Sequence, residues 1–215
     1  MKILLSDAGK RFNREWIFRH LYFEFIEQNA YAITGPNGSG KSTLLQCIGN
    51  MMQLSEGKME YVIGTKLEET ENNYRHVSFS APYMEVVEEM TLIEFLNFHN
   101  QFKAFIPGIN ANQIMEIIGL SHAAKKQIAQ FSSGMKQRVK LAHAIFSHTP
   151  LLLLDEPTTN LDASGIELYH TLIREYCKEK IVIICSNDEM EYSFCTKHIS
   201  MGDYKNTNAD LQSVN

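Results

Sequence analysis

The sequence has no long hydrophobic run. A membrane-spanning helix needs about 20 consecutive apolar residues, whereas the densest apolar stretches, residues 151–154 and 181–184, are only as long as a strand. Near the N-terminus, Asp7 interrupts the chain before the apolar core of a signal peptide can develop. We therefore expect no membrane span and no secretion signal, and we expect a cytoplasmic location.

Cysteine pairs with metal-binding spacing are also missing. The four cysteines, Cys47, Cys177, Cys185 and Cys195, lie far apart, form no CxxC motif and mostly have apolar neighbours. Isolated cysteines in such surroundings are typically buried free thiols. We predict neither a disulfide nor a cysteine metal site.

The chain has no excess of positive charge. It carries 20 Lys+Arg against 25 Asp+Glu, a formal net charge of −5, and its basic residues are scattered. A general electrostatic attraction to nucleic acid is therefore not expected. The small basic group Lys136, Arg138 and Lys140 would spread around a helix, and we predict that it forms a solvated face.

The order of apolar patterns predicts one α/β domain within the 215 residues. Alternating apolar residues among the first thirty positions predict short antiparallel strands, followed by a buried strand at 30–34. Helical spacing from about 91 to 129, broken at Pro107-Gly108, predicts an inserted helical subdomain. The apolar runs at 151–154 and 181–184, with a helical pattern between them, predict a mostly parallel sheet.

A glycine-rich motif follows the strand at 30–34. It consists of Gly35, Pro36, Asn37, Gly38, Ser39, Gly40, Lys41 and Ser42, and Thr43 continues it into a helical segment. Glycines let backbone N–H groups wrap a phosphate chain, Lys41 would reach the β- and γ-phosphates, and Ser42 would ligate Mg²⁺. The motif predicts a P-loop that binds a nucleoside triphosphate. The alternative is a glycine-rich turn that only caps a helix.

Two carboxylates end the apolar strand at 151–154. Asp155 would lie at the edge of the sheet where a phosphate-bound Mg²⁺ sits, and we predict that it is a metal ligand. Glu156 follows it and is the candidate catalytic base for a water molecule. The alternative is that the acids end the strand only for solubility.

Two further stretches, 131–138 (FSSGMKQR) and 155–162 (DEPTTNLD), complete a set of motifs that resembles the ABC ATPase family. The first is similar to the LSGGQ-type signature, in which Ser132 and Gly134 match while the residues at 131, 133 and 135 depart. The second is similar to the Walker B strand and the D-loop. The resemblance covers nearly the whole chain and implies an ATP-binding α/β core of P-loop type.

Phe12 resembles the aromatic residue that stacks on adenine in this family. The alternatives are that Phe12 belongs to the core and that Trp16 or Phe18 stacks on adenine instead.

Ser132 and Gly134 would form a second phosphate site. A serine hydroxyl, a glycine that permits close backbone approach and a helix N-terminus all favour an anion. The resemblance implies that this site closes on the nucleotide of a second subunit, which gives a head-to-tail dimer with two ATP between the copies. An ordinary Ser-capped helix is the alternative.

The sequence departs from the family at two positions. Pro82 stands where the family has the Q-loop glutamine, and Asn187 stands where it has the switch histidine. An asparagine amide can hydrogen-bond a γ-phosphate or a water, but it cannot become positively charged as histidine can. We count Asn187 among the ATP-binding residues. The alternative to a full ATPase is therefore a slow ATP-gated module.

The resemblance implies the ATP-binding and ATP-hydrolysing subunit of an ABC transporter. Such a subunit would dimerise on MgATP and drive a separate membrane-spanning chain at the inner face of the membrane. A protein that acts on ribosomes or DNA is a weaker alternative, because the chain has no basic stripe and no room for coiled-coil arms.

We expect an ATP-binding core at 1–82 and 130–202, a helical subdomain at 83–129 and a loose polar tail at 203–215. Five apolar residues near Pro82 would line a groove for the membrane partner or form the core of the subdomain, and the core is expected for the last two. They are Tyr83, Met84, Val86, Phe95 and Phe98.

Overall fold

The structure is a computed structural model that describes residues 1–205. Of the predicted loose tail, residues 206–215 lie outside the described part, and Met201–Tyr204 form a 3-10 turn. Within residues 1–205, no helix is both long enough and apolar enough to cross a bilayer.

An antiparallel sheet forms one part of the molecule. Its strands are β1 (Lys2–Phe12), β2 (Glu15–Ile26), β4 (Glu56–Ile63) and β5 (Lys66–Leu67), in the order β2-β1-β4-β5. The antiparallel portion is confirmed, but the prediction of short strands is wrong, because β1 and β2 form one hairpin of 11 and 12 residues. Asp7 and His20 have positive φ angles where the register shifts, and bulges of this kind interrupt the alternation along a strand.

A parallel sheet of five strands forms the centre of the core. The strands are β3 (Asn29–Thr34), β6 (Val77–Ser80), β7 (Leu151–Asp155), β8 (Ile181–Cys185) and β9 (Lys197–Ser200). Their order is β6-β7-β8-β3-β9, and every pairing is parallel. β7 and β8 are buried along their whole length, as their continuous apolar runs predict.

Helices cover both faces of the parallel sheet. They are α1 (Lys41–Ile48), α2 (Leu92–Phe102), α3 (Ala111–Ile117), α4 (Ser133–Ile145), α5 (Ala163–Tyr176) and α6 (Glu189–Tyr192). Because side chains alternate along a strand, Leu151 and Leu153 pack with α1 and the antiparallel sheet, whereas Leu152 and Leu154 pack with the other helices. The strand thus joins two apolar cores.

The predicted helical segment contains α2 and α3, and Pro107-Gly108 lies between them. Each helix begins with a capping box, Thr91 with Glu94 and Asn110 with Gln113, which satisfies backbone N–H groups at the first turn. The boundaries of a separate subdomain at 83–129 stay a prediction.

Phe95 is buried, as predicted, whereas Phe98 is 41% exposed and does not belong to the core. Val86 is buried too.

The basic group on α4 is not a solvated face, so this prediction is wrong. Lys136 pairs with Glu88 at 2.5 Å, the Arg138 guanidinium donates to Ser164 Oγ at 3.1 Å, and Lys140 Nζ donates to the carbonyl of Pro82 at 2.8 Å. All three basic side chains are half-buried, because the helix lies between the chain segments that carry these partners.

The predicted state of the four cysteines is confirmed, since all four are free and buried.

Candidate nucleotide-binding site

The carboxyl ends of three neighbouring strands bring the predicted motifs together. Cys185, the last residue of β8, pairs with Ile33 of β3 on one side and with Asp155 of β7 on the other. The P-loop follows β3, so it lies beside the acidic end of β7 with β8 between them. Ligands of open α/β sheets bind at this edge.

The P-loop depends on its glycines. Gly35, Gly38 and Gly40 all have φ angles between +76° and +143°, a range that other residues rarely adopt. At Gly40 a Cβ atom would lie only 2.3 Å from Ile17 Cγ2 of β2, so the loop packs closely against the antiparallel sheet.

The Lys41 ammonium is folded over the loop. Its Nζ donates to the carbonyls of Gly35 at 2.7 Å and Pro36 at 3.3 Å, and the residue is only 6% exposed. Because the charge is held inside the curve of the loop, a phosphate chain seated there would lie against it.

Two features of the loop fit a phosphate group. The Ser39 hydroxyl is buried and has no hydrogen-bond partner among residues 1–205. The N-cap of α1 is Gly40, which offers no side-chain acceptor to the first backbone N–H groups of the helix. Such groups are satisfied by ligands where side chains do not reach them.

The acidic edge fits Mg²⁺. Asp155 is 4% exposed, and its pKa is raised above the usual value first by burial and then by the charges of Glu156 and Glu191. A hydrogen bond from the Ser42 hydroxyl and the charge of Lys41 act in the opposite direction. A divalent cation would offset the cost of burying this carboxylate, and a carboxylate with a neighbouring hydroxyl is a suitable oxygen donor set for Mg²⁺.

Glu156 turns out of the strand toward the P-loop. Its φ angle is 42°, and its backbone N–H donates to the carbonyl of Cys185 at 2.9 Å. The exposed side chain lines a cleft of about 300 Å³ together with Lys41, Ser42 and Thr43. The predicted base and the predicted phosphate ligands therefore face the same space.

Asn187 is bound to the P-loop. Its Nδ2 donates to Asn37 Oδ1 at 2.5 Å, and both residues line a second cleft of about 420 Å³ next to Glu156. Among the described residues, neither this cleft nor the one at Lys41 is lined by a histidine.

The signature residues lie elsewhere. Ser132 caps α4, since its Oγ accepts from the N–H of Met135 at 3.2 Å, and a Cβ on Gly134 would lie 3.1 Å from the carbonyl oxygen of Asn160. They line a cleft of about 440 Å³ with residues 160–162, and no residue lining it also lines the described cleft at Lys41. Within one chain, the two predicted phosphate sites are separate.

Phe12 does not line the clefts described above. Phe12 is 47% exposed, and Lys10 Nζ lies 5.2 Å from the centroid of its ring. The apolar side chain that lines the P-loop cleft is that of Ile17. Adenine stacking by Phe12 stays a prediction. The alternative with Phe18 is wrong because that side chain is fully buried, while Trp16 packs against Arg19 at 4.5 Å.

Three residues at this edge were not predicted to act there. Tyr83 and Gln46 are hydrogen-bonded to each other at 2.9 Å beside Asp155, and the buried Glu191 accepts two hydrogen bonds from Thr158. The spacing of Gln46, one helical turn after Ser42, was the available signal for its position. The sequence offered no signal for the position of Glu191, because an acidic residue in a short polar segment is typically exposed.

The P-loop, the acidic strand end and the parallel sheet define a P-loop nucleotide-binding protein. Residues 18–159 match the sequence model of the ABC transporter family. The chain belongs to this family, as an ABC transporter ATP-binding subunit.

Relatives with curated descriptions are similar in sequence. The bacitracin transport ATP-binding protein BcrA of Bacillus licheniformis is 28% identical over 182 residues, which are 85% of this chain but only 60% of that protein. The putative hemin import ATP-binding protein HrtA of Staphylococcus epidermidis is 26% identical and covers 97% of this chain and 100% of its own length. The cytochrome c biogenesis ATP-binding export protein CcmA of Xylella fastidiosa is 30% identical over 71% of this chain and 68% of its own.

Solved structures share the fold. A putative ABC transporter ATP-binding protein of Pyrococcus furiosus superposes with a TM-score of 0.80 at 22% identity, covering 96% of this chain and 100% of that one. A dimeric ATP-binding cassette in a post-hydrolysis state bound to ADP and Pi has a TM-score of 0.79 at 22% identity and covers 94% of each chain. The predicted fold class is confirmed.

Proposed function

We propose that this subunit binds MgATP, dimerises on it, hydrolyses it and thereby drives a separate membrane-spanning subunit. The observation that carries the proposal is the meeting of Lys41, Ser42, Asp155 and Glu156 at one edge of the sheet. Lys41 and Ser42 begin α1, and Asp155 and Glu156 stand at the end of β7. Lys41, Ser42 and Glu156 line one cleft.

The residues of the edge have complementary parts in hydrolysis. Lys41 and the backbone N–H groups of the P-loop would bind the β- and γ-phosphates, and Ser42 and Asp155 would hold Mg²⁺. When bound, Mg²⁺ would neutralise negative charge on the transferred phosphoryl group. Glu156 accepts a proton from the attacking water, and the Asn187 amide orients that water or a γ-phosphate oxygen.

A second copy would complete the site. Ser132 and Gly134 are separated from the P-loop cleft within one chain, and their exposed helix N-terminus is suited to an anion. In a head-to-tail dimer they would face the γ-phosphate held by the other copy, which gives two equivalent sites. The dimeric neighbour bound to ADP and Pi supports this arrangement by its likeness in fold.

Hydrolysis is tested with two substitutions. Lys41→Ala should weaken ATP binding by about 100-fold or more, because it removes the buried charge that the phosphates contact. Glu156→Gln should keep MgATP binding and lose at least about 100-fold in turnover, since the amide cannot accept the proton. Glu167→Gln, an exposed change on α5, is the matched control. Wild-type turnover in Glu156→Gln would place the base elsewhere.

We place the membrane partner at an apolar groove of about 350 Å³. Phe79, Met84, His99 and Phe102 are among the residues that line it, and Phe102 is 72% exposed. An apolar helix of the membrane-spanning subunit fits such a groove, and it would touch the segment after β6 that leads to the nucleotide edge. This contact would hold the subunit at the inner face of the membrane. The transport functions of BcrA and HrtA support a partner of this kind.

Phe102→Asp tests the groove. The isolated variant should keep the basal ATPase rate and should no longer co-purify with the membrane-spanning subunit when the two are expressed together. Leu67→Asp on β5 is the control, because Leu67 is also exposed, at 61%, but lies on the antiparallel sheet. Co-purification of the Phe102→Asp variant at the level of wild type would exclude this groove.

A further inference from the structure

The imidazole of His122 has no hydrogen-bond partner among residues 1–205. Five of the eight histidine side chains are hydrogen-bonded within this part of the chain, namely those of His20, His76, His99, His143 and His198. Of the other three, His170 packs its ring 5.8 Å from that of Phe194, and His148 lines a cleft with Tyr176. His122 lines the cleft at the start of α4.

The turn that carries His122 is anchored on both sides. Ser121–Ala123 form a 3-10 turn after α3. Leu120 and Ala123 are buried in the apolar core, and the N–H of Leu120 donates to the carbonyl of Met115 on α3 at 2.8 Å. The N–H of Ala123 closes the turn on the carbonyl of Leu120 at 2.9 Å. The exposed His122 between them is therefore held at the cleft.

The other basic side chain that lines this cleft, Arg138, is already bound within the chain. Its guanidinium donates to Ser164 Oγ at 3.1 Å and to the carbonyl of Ile118 at 3.4 Å, and it lies 3.6 Å from the carboxylate of Asp162. An imidazole carries an N–H donor whether it is neutral or charged. His122 is therefore the basic group of the cleft that remains available to a bound anion.

His122 shares the cleft with both signature residues. Ser132, Gly134 and His122 all line the same space of about 440 Å³. In the proposed dimer this space receives the γ-phosphate that the other copy holds. Among residues 1–205, no histidine lines the two clefts at the P-loop, where Asn187 supplies an uncharged amide.

We propose that His122 donates a hydrogen bond to the γ-phosphate held by the other copy, and so supplies from the second chain the imidazole that Asn187 does not supply within the first. The inference rests on the proposed head-to-tail dimer on MgATP. A hydrogen bond to a phosphate oxygen is charge-assisted, and it strengthens further when the imidazole is protonated. His122 would act only between two copies, so nucleotide binding by a single chain would not depend on it.

The test follows dimer formation at rising MgATP concentration in the full chain with Glu156→Gln, by light scattering after size exclusion. Half of the protein should need about tenfold more MgATP to dimerise when His122→Ala is added, because each site loses a charge-assisted hydrogen bond. Binding of a fluorescent ATP analogue to single chains, at protein concentrations too low for the dimer, should equal that of the Glu156→Gln parent.

Two further variants separate phosphate binding from a structural role. His122→Arg keeps N–H donors and a positive charge, and it should dimerise within about threefold of the parent's MgATP concentration. His148→Ala is the matched control, because His148 is also exposed and its side chain also has no hydrogen-bond partner among residues 1–205, but it lines a different cleft. It should dimerise like the parent.

If His122→Ala dimerises at the same MgATP concentration as His148→Ala, the inference is wrong, although the proposed function stands. Equal losses in His122→Ala and His122→Arg would mean that the imidazole only shapes the turn. Weaker nucleotide binding by single chains of His122→Ala would mean that His122 acts within its own chain. Either result overturns the inference. If the Glu156→Gln parent forms no dimer with MgATP, the proposed function fails and the inference fails with it.

Discussion

Asn187 stands where the resemblance leads us to expect a switch histidine, and its amide Nδ2 donates to Asn37 Oδ1 of the P-loop at 2.5 Å. An asparagine keeps the same hydrogen-bonding capacity throughout the pH range in which histidine titrates. The hydrogen bond between Asn37 and Asn187 therefore links the P-loop to the segment after β8, and neither side chain carries a charge.

Asn187→His should raise the steady-state ATPase rate by up to about tenfold, because an imidazole can take or give a proton next to Glu156. The measurement is phosphate release at saturating MgATP. Asn187→Ala is the control and should fall below wild type, since it removes the amide. Equal losses in both variants, together with a wild-type rate far below about 1 s⁻¹, would favour the slow ATP-gated module.

At the residue level, the sequence predicted which residues come close together where a motif fixes the spacing. Lys41 and Ser42 line one cleft because a strand, a glycine-rich loop and a helix follow one another, and Glu156 joins them from the end of β7. Tyr83 was predicted as part of a groove, and its hydroxyl instead accepts a hydrogen bond from Gln46, which lies 37 residues earlier in the sequence. Such a long-range contact leaves no local pattern.

At the scale of elements, α6 follows β8 and is hydrogen-bonded to the segment after Glu156. Glu191 of α6 is 3% exposed, and its Oε1 accepts from the backbone N–H of Thr158 at 2.7 Å and from its hydroxyl at 2.6 Å. The backbone carbonyl of Glu191 accepts from the Tyr169 hydroxyl at 2.8 Å. The four-residue helix α6 is therefore hydrogen-bonded both to Thr158 and to Tyr169 of α5.

Glu191→Leu should lower the free energy of unfolding by about 2–3 kcal/mol, because it leaves the buried N–H and hydroxyl of Thr158 without an acceptor. Glu191→Gln keeps an acceptor oxygen and should cost less than about 1 kcal/mol. Urea unfolding at neutral pH measures both. Equal losses in the two variants would mean that the charge of the carboxylate, and not its two hydrogen bonds, is the stabilising feature.

A pair of histidines joins α2 to α4. The rings of His99 and His143 are 5.1 Å apart, and His99 Nε2 lies 2.8 Å from the Ser147 hydroxyl. Burial, followed by the charge of Lys103, lowers the pKa of His99 to about 4. Burial, followed by the charge of His99, lowers the pKa of His143 to about 3. Both rings are therefore neutral in the folded chain at pH 7.

The pair makes stability depend on pH. An unfolded histidine takes up a proton near pH 6.5, whereas the folded pair resists protonation until about pH 4. The unfolded state binds more protons in this window, so stability is full above pH 6.5 and declines as the pH falls toward 4. His143→Leu should reduce the slope by up to about 1.4 kcal/mol per pH unit.

Urea unfolding between pH 7 and pH 4 measures this slope. His122→Gln, an exposed change, should keep the slope of wild type. A His143→Leu variant with the wild-type slope would assign the pH dependence to other groups.

Elements were predictable from the sequence where their periodicity is regular. β7 and β8 are continuous apolar runs, and both are confirmed. β1 and β2 were predicted as shorter strands because bulges near Asp7 and Lys10 break the alternation. β4 and β5 were not predicted, since they contain many polar residues and take their place through pairing with β1.

At the scale of the whole molecule, the two predicted phosphate sites line different clefts of one chain. The P-loop cleft contains Lys41 and Glu156, and the cleft at the start of α4 contains Ser132 and Gly134. The motifs predicted both sites, and the resemblance implied that they meet only between two copies. In the folded chain, no residue among 1–205 that lines one cleft lines the other. We propose that a second copy, placed head to tail, brings the Ser132 site of one chain to the P-loop of the other.

The most direct test of this account is the molar mass of Glu156→Gln in solution, measured by light scattering after size exclusion. With MgATP the variant should elute as a dimer of twice the 24.6 kDa chain, because closure persists when hydrolysis is blocked. Without nucleotide, or with Lys41→Ala added, it should be monomeric. A Glu156→Gln variant that binds MgATP and remains a monomer at all protein concentrations tested would contradict the account.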